Sequence, residues 1–280
     1  MVPVSSELTL EHVVIRVDDL DAAMKDFAAL GFHVVYGGVH SSGVTHNALI
    51  HFQNGTFIEL VAYRKPMLLT VLKKLGLLDL LLKNTDNHVK YRFAAAVGFP
   101  EGFMDAALLS KDIDQDTRLA NDRGLKTTKP MPFQRKKPNG DSVRWNIMCP
   151  FADALPFVRD PYVPEQPTSQ DDMRHGNGAL GISHVVYGVG DLEAATADYE
   201  GLLGIEISIS TRDGKRRAVF ELGDVTVTLL PVGEFPHLAA ALSDKRETPV
   251  QVTLGTNNEA SAGLLAMDKS HRAEIVLEHA

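Results

Sequence analysis

Five side chains of this chain are the candidates for a catalytic or metal-binding site. They are four histidines, His12, His40, His46 and His184, and one glutamate, Glu59. Imidazole nitrogens and carboxylate oxygens bind zinc, iron and manganese ions, and both groups move protons near neutral pH. The chain has no Cys-x-x-Cys, His-Glu-x-x-His, phosphate-loop or Gly-x-Ser-x-Gly motif. Any site must therefore be assembled by the fold from distant segments.

Glu59 stands alone between Ile58 and Leu60 in an apolar segment that predicts a strand. A carboxylate in such a setting needs a partner, because burying a lone charge is costly. A metal ion would serve, and so would an arginine, for which Arg16 is the candidate. Side chains alternate across a strand, so His12 and Arg16 share one face of the strand that precedes the first helix.

His12 begins a pattern that the chain repeats 172 positions later at His184. Each copy has an apolar strand with a histidine near its start, a turn aspartate (Asp19 or Asp191), and an Ala-rich helix that ends in Leu-Gly. Self-similarity at this scale indicates duplicated structural units. A metal-capable side chain at the same place in both copies suggests a site, while a satisfied core histidine is the alternative for His184.

His40, His46 and His51 are the further histidines considered for the site. His46 and His51 have opposite parity on one predicted strand, so only one of them can point to a given face. We expect His46 to point inward as a metal ligand or an acid/base, and His40, in a Gly-rich loop, to contact substrate. For each of them, a surface or loop-anchoring histidine is the alternative.

The predicted elements follow a β-α-β-β-β order in residues 8–63 and again in 184–230. A more divergent copy between them places Asp105 where the first copy has His12, and residues 250–277 predict a shortened fourth copy with a strand, a helix and a strand. The sequence thus predicts an α+β fold with two curved sheets. The predicted division is a first domain at 1–160, a linker at 161–178 and a second domain at 179–280.

A leucine-rich insertion at about 67–84 interrupts the first domain. Its charges are too frequent for a membrane span. We expect a helix whose Leu68, Leu72, Leu75 and Leu78 pack on the core or on a second subunit, with a lid over the site as the alternative.

Composition excludes several classes of function. The net charge of -8 and pI near 5.7 argue against nucleic acid or an anionic membrane as a main partner. The single cysteine, Cys149, rules out an internal disulfide, and residues 1–6 do not resemble a signal peptide. We therefore expect a cytoplasmic protein that binds a small-molecule substrate, as a monomer or a homodimer.

Several segments resemble the glyoxalase-like branch of the vicinal oxygen chelate superfamily. They are Asp19-Leu20, Thr45-His46-Asn47, Asn54-Gly55-Thr56-Phe57-Ile58-Glu59-Leu60, Lys137-Pro138-Asn139-Gly140 with Trp145, and His175-Gly176-Asn177-Gly178. The resemblance covers nearly the whole chain and implies paired β-α-β-β-β units whose sheets enclose a cup. It does not specify a reaction, because the superfamily includes lyases, isomerases, epimerases, ring-cleaving dioxygenases and drug-binding resistance proteins.

The resemblance implies divalent-metal ligands from the first and last strands of the units. Carried over by position, these ligands are His12 and Glu59, and the candidate ligand from the second unit is Asp105. The third unit has Thr228 at the position of Glu59. If units one and three face each other, His184 would complete a 2-His-1-carboxylate set. Iron, manganese, zinc and nickel are not distinguished.

Two hypotheses follow. The first is a metal-dependent enzyme, an isomerase, epimerase or lyase, that chelates two vicinal oxygens and stabilises an enediolate-like oxyanion; an Fe(II) ring-cleaving dioxygenase is its variant if His184 joins the set. The second is a metal-free protein that binds or sequesters a small molecule.

Overall fold

Two β-sheets make up the protein in the computed structural model, which describes residues 7–77, 80, 88–235, 238, 242 and 247–280. Eight strands close into a barrel in the order β1-β4-β3-β2-β6-β7-β8-β5. Seven further strands form an open sheet in the order β10-β11-β12-β9-β13-β15-β14. The predicted α+β class with repeated β-α-β-β-β units is confirmed.

The strands of the barrel are β1 Thr9–Val17, β2 Val35–His40, β3 Thr45–His51, β4 Phe57–Tyr63, β5 Gly102–Leu109, β6 Met131–Lys136, β7 Ser142–Met148 and β8 Phe157–Arg159. Those of the open sheet are β9 Ala179–Val189, β10 Ile209–Arg212, β11 Lys215–Leu222, β12 Val225–Pro231, β13 Pro249–Thr256, β14 Gly263–Leu264 and β15 Glu274–His279. The described α-helices are α1 Leu20–Ala29, α2 Pro66–Lys74, α3 His88–Ala95, α4 Ile113–Asp122 and α5 Leu192–Leu203.

Units one and two form the barrel together. β1 pairs in parallel with β4 of its own unit and antiparallel with β5 of the second unit, and β2 pairs with β6 across the other seam. Unit three belongs to the open sheet. Unit one therefore faces unit two, and the arrangement in which units one and three would share a site does not occur.

The repeated helix starts are capped in the same way. The side chain of Asp19 accepts a hydrogen bond from Ala22 N at 3.0 Å, and that of Asp191 accepts one from Ala194 N at 2.9 Å. Each aspartate satisfies one of the free amides of the first helical turn. The turn acid of the repeat thus fixes where each helix leaves its strand.

Two expectations about the weaker copies need correction. The last strand of unit two is β8, only three residues long, and not the strand around Trp145, which is β7. In the tail, the expected helix is a single 3₁₀ turn at Glu259–Ser261 between β13 and β14. Both segments are too short to give a periodic hydrophobic pattern in the sequence.

The barrel and the open sheet share one hydrophobic core, which contains buried residues from both. Their junction is also hydrogen-bonded: Asn54 Nδ2 donates to Ile182 O at 3.0 Å, and Asn177 Nδ2 donates to Leu30 O at 2.9 Å. Asn54 belongs to the β3–β4 turn, where Gly55 adopts φ +85°. The predicted turn therefore also anchors the second sheet.

The insertion helix packs on a different face from the one expected. On α2 only Leu69 is buried, whereas Leu68 and Leu75 are exposed and Leu72 is half-buried. Leu78 lies outside the described residues. The prediction that Leu68, Leu72 and Leu75 pack on the core is wrong, while packing on a second subunit stays a prediction. No helix of the described chain is long and apolar enough to cross a bilayer.

Candidate functional site

A cavity of about 300 Å³ lies inside the barrel. Its wall is mostly apolar and aromatic, with Tyr63, Phe93, Phe133, Trp145, Phe157 and Tyr162 among the lining side chains. The aromatic rings contact one another, since Phe133 stacks on Trp145 at 6.4 Å between ring centres and Trp145 meets Tyr162 edge-on at 5.2 Å. Such a wall suits a flat, largely apolar molecule.

Three polar side chains from unit one meet in this cavity: His12 on β1, Glu59 on β4 and His40 at the end of β2. His12 Nε2 lies 3.4 Å from Glu59 Oε2, and His40 Nε2 lies 3.8 Å from Glu59 Oε1. These are the only His, Asp or Glu side chains among the described residues that line the cavity. They are therefore the first candidates for metal binding and proton transfer in this cavity.

The ring of His12 is held by a buried ion pair behind it. Its Nδ1 lies 3.1 Å from Glu11 Oε2, and Glu11 in turn accepts two hydrogen bonds from the guanidinium of Arg159. Because a carboxylate oxygen only accepts, Nδ1 carries the proton and Nε2 is the nitrogen offered to the cavity. Arg159 also lies over the ring of Tyr162 at 3.7 Å.

Two buried atoms of the site, His12 Nε2 and Asn47 Oδ1, have no hydrogen-bond partner within the part of the chain that the structure describes. Of the two residues, His12 is the one that lines the cavity. On His40, by contrast, Nδ1 is 2.8 Å from the hydroxyl of Thr45, which leaves its Nε2 directed to Glu59. Both imidazoles therefore have one nitrogen engaged and the other turned toward the same carboxylate.

Asn47 fixes the carboxylate from the third side. Its Nδ2 donates to Glu59 Oε1 at 2.5 Å. Glycine at position 37 makes room for it, because a Cβ there would lie 2.4 Å from Asn47 Oδ1. At Gly38 (φ +129°) a Cβ would meet the carbonyl oxygen of Lys136 at 2.1 Å. The Gly-Gly pair is therefore part of a strand, and it brings His40 to the site instead of leaving it in a rim loop.

The charges of the site are strongly coupled. Burial alone would raise the pKa of Glu59, but the nearby imidazoles of His12 and His40, together with the hydrogen bond from Asn47, lower it to about 2. Burial would lower the pKa of His12, and this effect is outweighed by Glu11 and Glu59, so that the pKa is raised. Burial lowers the pKa of His40 and favours its neutral form. Between two carboxylates, His12 needs either a proton or a cation at Nε2.

Two of the predicted residues lie elsewhere. His46 is on the opposite face of β3 from Asn47 and packs against Tyr36, with 6.3 Å between ring centres. His184 belongs to the open sheet and lies 2.8 Å from the hydroxyl of Thr228. The expectation that His46 points into the cup and the arrangement that would bring His184 to Glu59 are therefore both corrected by the geometry.

Asp105 and Arg16 form ion pairs with other residues. Asp105 accepts two hydrogen bonds from the buried guanidinium of Arg92, at 3.0 and 2.7 Å. Arg16 pairs with Asp18 at 2.6 Å and does not reach Glu59. Asp105 is thus a structural ion-pair partner, and the carboxylate of Glu59 is left to the two histidines.

The strand registers show what the second unit offers at the equivalent positions. In unit one His12 pairs with Phe57, and Glu59 follows two residues later on β4. In unit two Ala107 pairs with Phe157, and Arg159 follows two residues later on β8. Ala107 and Arg159 therefore stand where unit one has His12 and Glu59. All polar donors of the site that suit a metal come from one half of the barrel.

The side-chain types of the site suit a divalent metal ion, but their positions do not form a ready site. Within the described ranges no group of three or more His, Cys, Asp or Glu side chains is arranged so that it could hold a metal ion. His12, His40 and Glu59 nevertheless provide two imidazole nitrogens and a carboxylate. The Nδ1 of His12 is oriented by the carboxylate of Glu11, which leaves Nε2 available, and metal-binding histidines are commonly oriented in this way.

Sequence reasoning missed Glu11, Asn47 and Arg159. Glu11 and Asn47 each adjoin a residue of interest, but only the closed barrel shows that they hold His12 and Glu59. The actual register of the hairpin pairs Asn47 with Val61 and so places Asn47 on the face of Glu59, whereas a two-residue turn at Asn54-Gly55 would predict the opposite face. Nothing in the sequence connects Arg159 with Glu11.

Comparisons with known proteins agree with the fold. A family model described as a glyoxalase-like domain matches residues 10–203. A hypothetical protein from Staphylococcus aureus superimposes with a TM-score of 0.71 at 14% identity, covering 98% of this chain and 100% of that one. No curated protein sequence matches the chain.

Two enzymes share the architecture more distantly. A variant of 4-hydroxymandelate synthase from Streptomyces coelicolor gives a TM-score of 0.54 at 13% identity, covering 94% of this chain and 77% of that one. A xylose isomerase-like TIM barrel/4-hydroxyphenylpyruvate dioxygenase fusion protein gives 0.53 at 16% identity, and the match covers 95% of this chain and 40% of the fusion protein. At such identities the likeness establishes the fold only. With the family model spanning most of the barrel and the first part of the open sheet, the chain belongs to the glyoxalase-like domain family.

Proposed function

We propose that the protein is a divalent-metal-dependent enzyme that acts on a small, mainly apolar molecule carrying two neighbouring oxygen atoms. An isomerase, epimerase or lyase reaction is the outcome that this arrangement suits. The observation that carries the proposal is the position of His12 Nε2. This atom is buried, makes no hydrogen bond within the described chain, and faces the carboxylate of Glu59, which the Nε2 of His40 also approaches.

His12, His40 and Glu59 would hold the ion. When bound, a divalent metal supplies a Lewis acid that stabilises negative charge on a substrate oxygen. The chain itself contributes orientation, since Glu11 fixes the tautomer of His12 and Asn47 fixes one oxygen of Glu59. The aromatic wall binds the body of the substrate and excludes water, which strengthens electrostatic interactions in the cavity.

Metal titration of chelator-treated protein tests the proposal. Calorimetry with Mn²⁺ or Zn²⁺ should show one equivalent bound to the wild type. His12→Ala, His40→Ala and Glu59→Gln should each weaken binding by about 100-fold or more, since loss of a mere supporting partner already costs about 10–100-fold. His46→Ala is the matched control, because His46 lies on the other face of the same hairpin, and it should bind like the wild type.

A metal-free binding protein is the second candidate, favoured by Ala107 and Arg159 at the second unit's equivalent positions. The two candidates differ in a direct measurement, because Trp145 is the only tryptophan of the chain and lines the cavity. If the protein binds no metal, yet an aromatic probe such as a naphthol quenches Trp145 fluorescence, the binding protein replaces the enzyme as the conclusion.

A further inference from the structure

The outward face of α2 is apolar and exposed. The exposed fractions are 82% for Met67, 56% for Leu68, 52% for Val71 and 67% for Leu75. At 100° per residue these four side chains fall on one side of the helix. Large side chains grouped in this way on a surface mark an interaction site more often than scattered ones do. We call this set the outer face of α2.

Exposed positive charge accompanies α2 along the chain. Arg64 and Lys65 precede the helix, Lys74 ends it and Lys90 lies on α3, and all four are exposed. Residues 60–77 and 88–100 contain no Asp or Glu, although the chain as a whole has a net charge of -8. The sequence between these two ranges contains two aspartates and one lysine, so it does not reverse the sign. The average acidity that argued against an anionic partner therefore does not describe this region.

The same helix forms part of the cavity wall. Leu69, on the opposite side of α2 from the outer face, lines the cavity, as does Lys90 of α3. The two helices are tied together, because Lys73 Nζ donates to Ala95 O at 2.7 Å. One element thus separates the apolar cavity from whatever contacts the outer face.

We propose that the outer face of α2 docks on an anionic phospholipid surface, so that the part of the cavity wall formed by Leu69 lies close to the lipid. Apolar side chains accompanied by lysine and arginine are the composition of interfacial helices, whose binding adds apolar burial to attraction for anionic headgroups. A second copy of the chain is a poorer occupant. A symmetric contact through this face would place its basic residues near their own copies.

Vesicle flotation of the full chain tests the proposal. The protein should float with phosphatidylcholine vesicles that contain phosphatidylglycerol, and bind pure phosphatidylcholine about tenfold or more weakly. Added salt should reduce the binding, because charges near the surface are screened. The double variant Leu68→Asp/Val71→Asp should lose flotation while keeping its circular dichroism, since both side chains are exposed. Lys74→Glu should weaken flotation.

Leu264→Asp is the matched control, because Leu264 is 59% exposed on β14 of the open sheet; it should float like the wild type. Wild-type protein that does not float, or a double variant that floats as well as the wild type, overturns the proposal. A third outcome also overturns it: the wild type is a dimer in light scattering and does not float, and the double variant is a monomer. The outer face of α2 is then an interface between copies of the chain. None of these outcomes depends on metal binding, so the proposed enzyme function stands or falls separately.

Discussion

His12 lies between two carboxylates that have different roles. Glu59 lines the cavity, whereas Glu11 is buried behind the ring and neutralised by Arg159. A buried ion pair of this kind contributes little net stability, because desolvation offsets the attraction. Its value lies in orientation, since it fixes which imidazole nitrogen faces the cavity.

Glu11→Gln should therefore weaken metal binding by about 10–100-fold while leaving all three proposed ligands in place. The variant also leaves Arg159 buried without its partner, which lowers stability. The double variant Glu11→Gln/Arg159→Met removes both charges and recovers part of that stability, but not the affinity. Calorimetric titration with Mn²⁺ and thermal unfolding separate the two effects. Unchanged affinity in Glu11→Gln would mean that the ion pair is only structural.

Residue-level predictions from the sequence succeeded where they depended on parity within one strand and failed where they depended on register between strands. Glu59 was identified because a lone acid in an apolar strand is conspicuous. His46 was expected inside the cup because its segment Thr45-His46-Asn47 resembles the family, and it lies on the other face. A two-residue turn at Asn54-Gly55, which would pair even with odd positions, would have given the same wrong face. The actual turn pairs His51 with Phe57 and Leu49 with Glu59. A shift of one position moves every side chain to the other face.

At the scale of elements, α2 shows that a leucine-rich segment does not by itself reveal its buried side. Leu69 packs with Tyr63 and Val97 in a small cluster apart from the main core. The neighbouring Leu68 is more than half exposed. Both have the same helical propensity, so they form a matched pair for a test.

Leu69→Ala should destabilise the protein by about 2 kcal/mol, from the transfer and cavity terms of a buried leucine. Leu68→Ala should change the free energy of unfolding by less than about 0.5 kcal/mol. Urea denaturation followed by circular dichroism gives both values. Equal effects of the two substitutions would show that α2 packs in another orientation.

β2 and β8 mark the limit of prediction for elements. β2 extends through Gly37 and Gly38, residues that usually indicate a loop, because the close approach of Asn47 and Lys136 requires glycine there. β8 has three residues, and only its pairing with β5 and β7 defines it. In both cases tertiary contacts decide the structure, and local sequence cannot supply them. The longer repeated strands and the capped helices were predictable, because their local sequence patterns specify them.

At the scale of the whole molecule, the barrel and the open sheet are held together by close backbone approach as well as by the shared core. A Cβ at Gly181 of β9 would lie 2.1 Å from Asn54 Cγ in the barrel. Ile182 N also donates to the hydroxyl of Thr56 at 3.0 Å. This junction reaches the β3–β4 hairpin, and through it the strand that carries Glu59.

Gly181→Ala should therefore destabilise the protein by about 1–3 kcal/mol, because the added methyl displaces Asn54 from the junction. Gly233→Ala is the control, since a Cβ at that position meets no atom within 4 Å, and it should be neutral within about 0.5 kcal/mol. Chemical denaturation of both variants checks the expectation. A neutral Gly181→Ala would show that the two sheets can separate slightly without loss.

The one-sided placement of the donors has a consequence for redesign. His12, His40 and Glu59 all come from unit one, whereas Phe133, Trp145, Ile147 and Phe157, which shape much of the cavity wall, come from unit two. Phe157 and Trp145 also meet the rings of His12 and His40 edge-on, at 5.7 and 6.2 Å between ring centres, so these two side chains and Arg159 support the donors and must be kept. Phe133, which stacks on Trp145, is the aromatic position at which unit two can change the shape of the cavity without a ring contact to a donor. Ligand selectivity can thus be altered in unit two while all three donors stay in unit one.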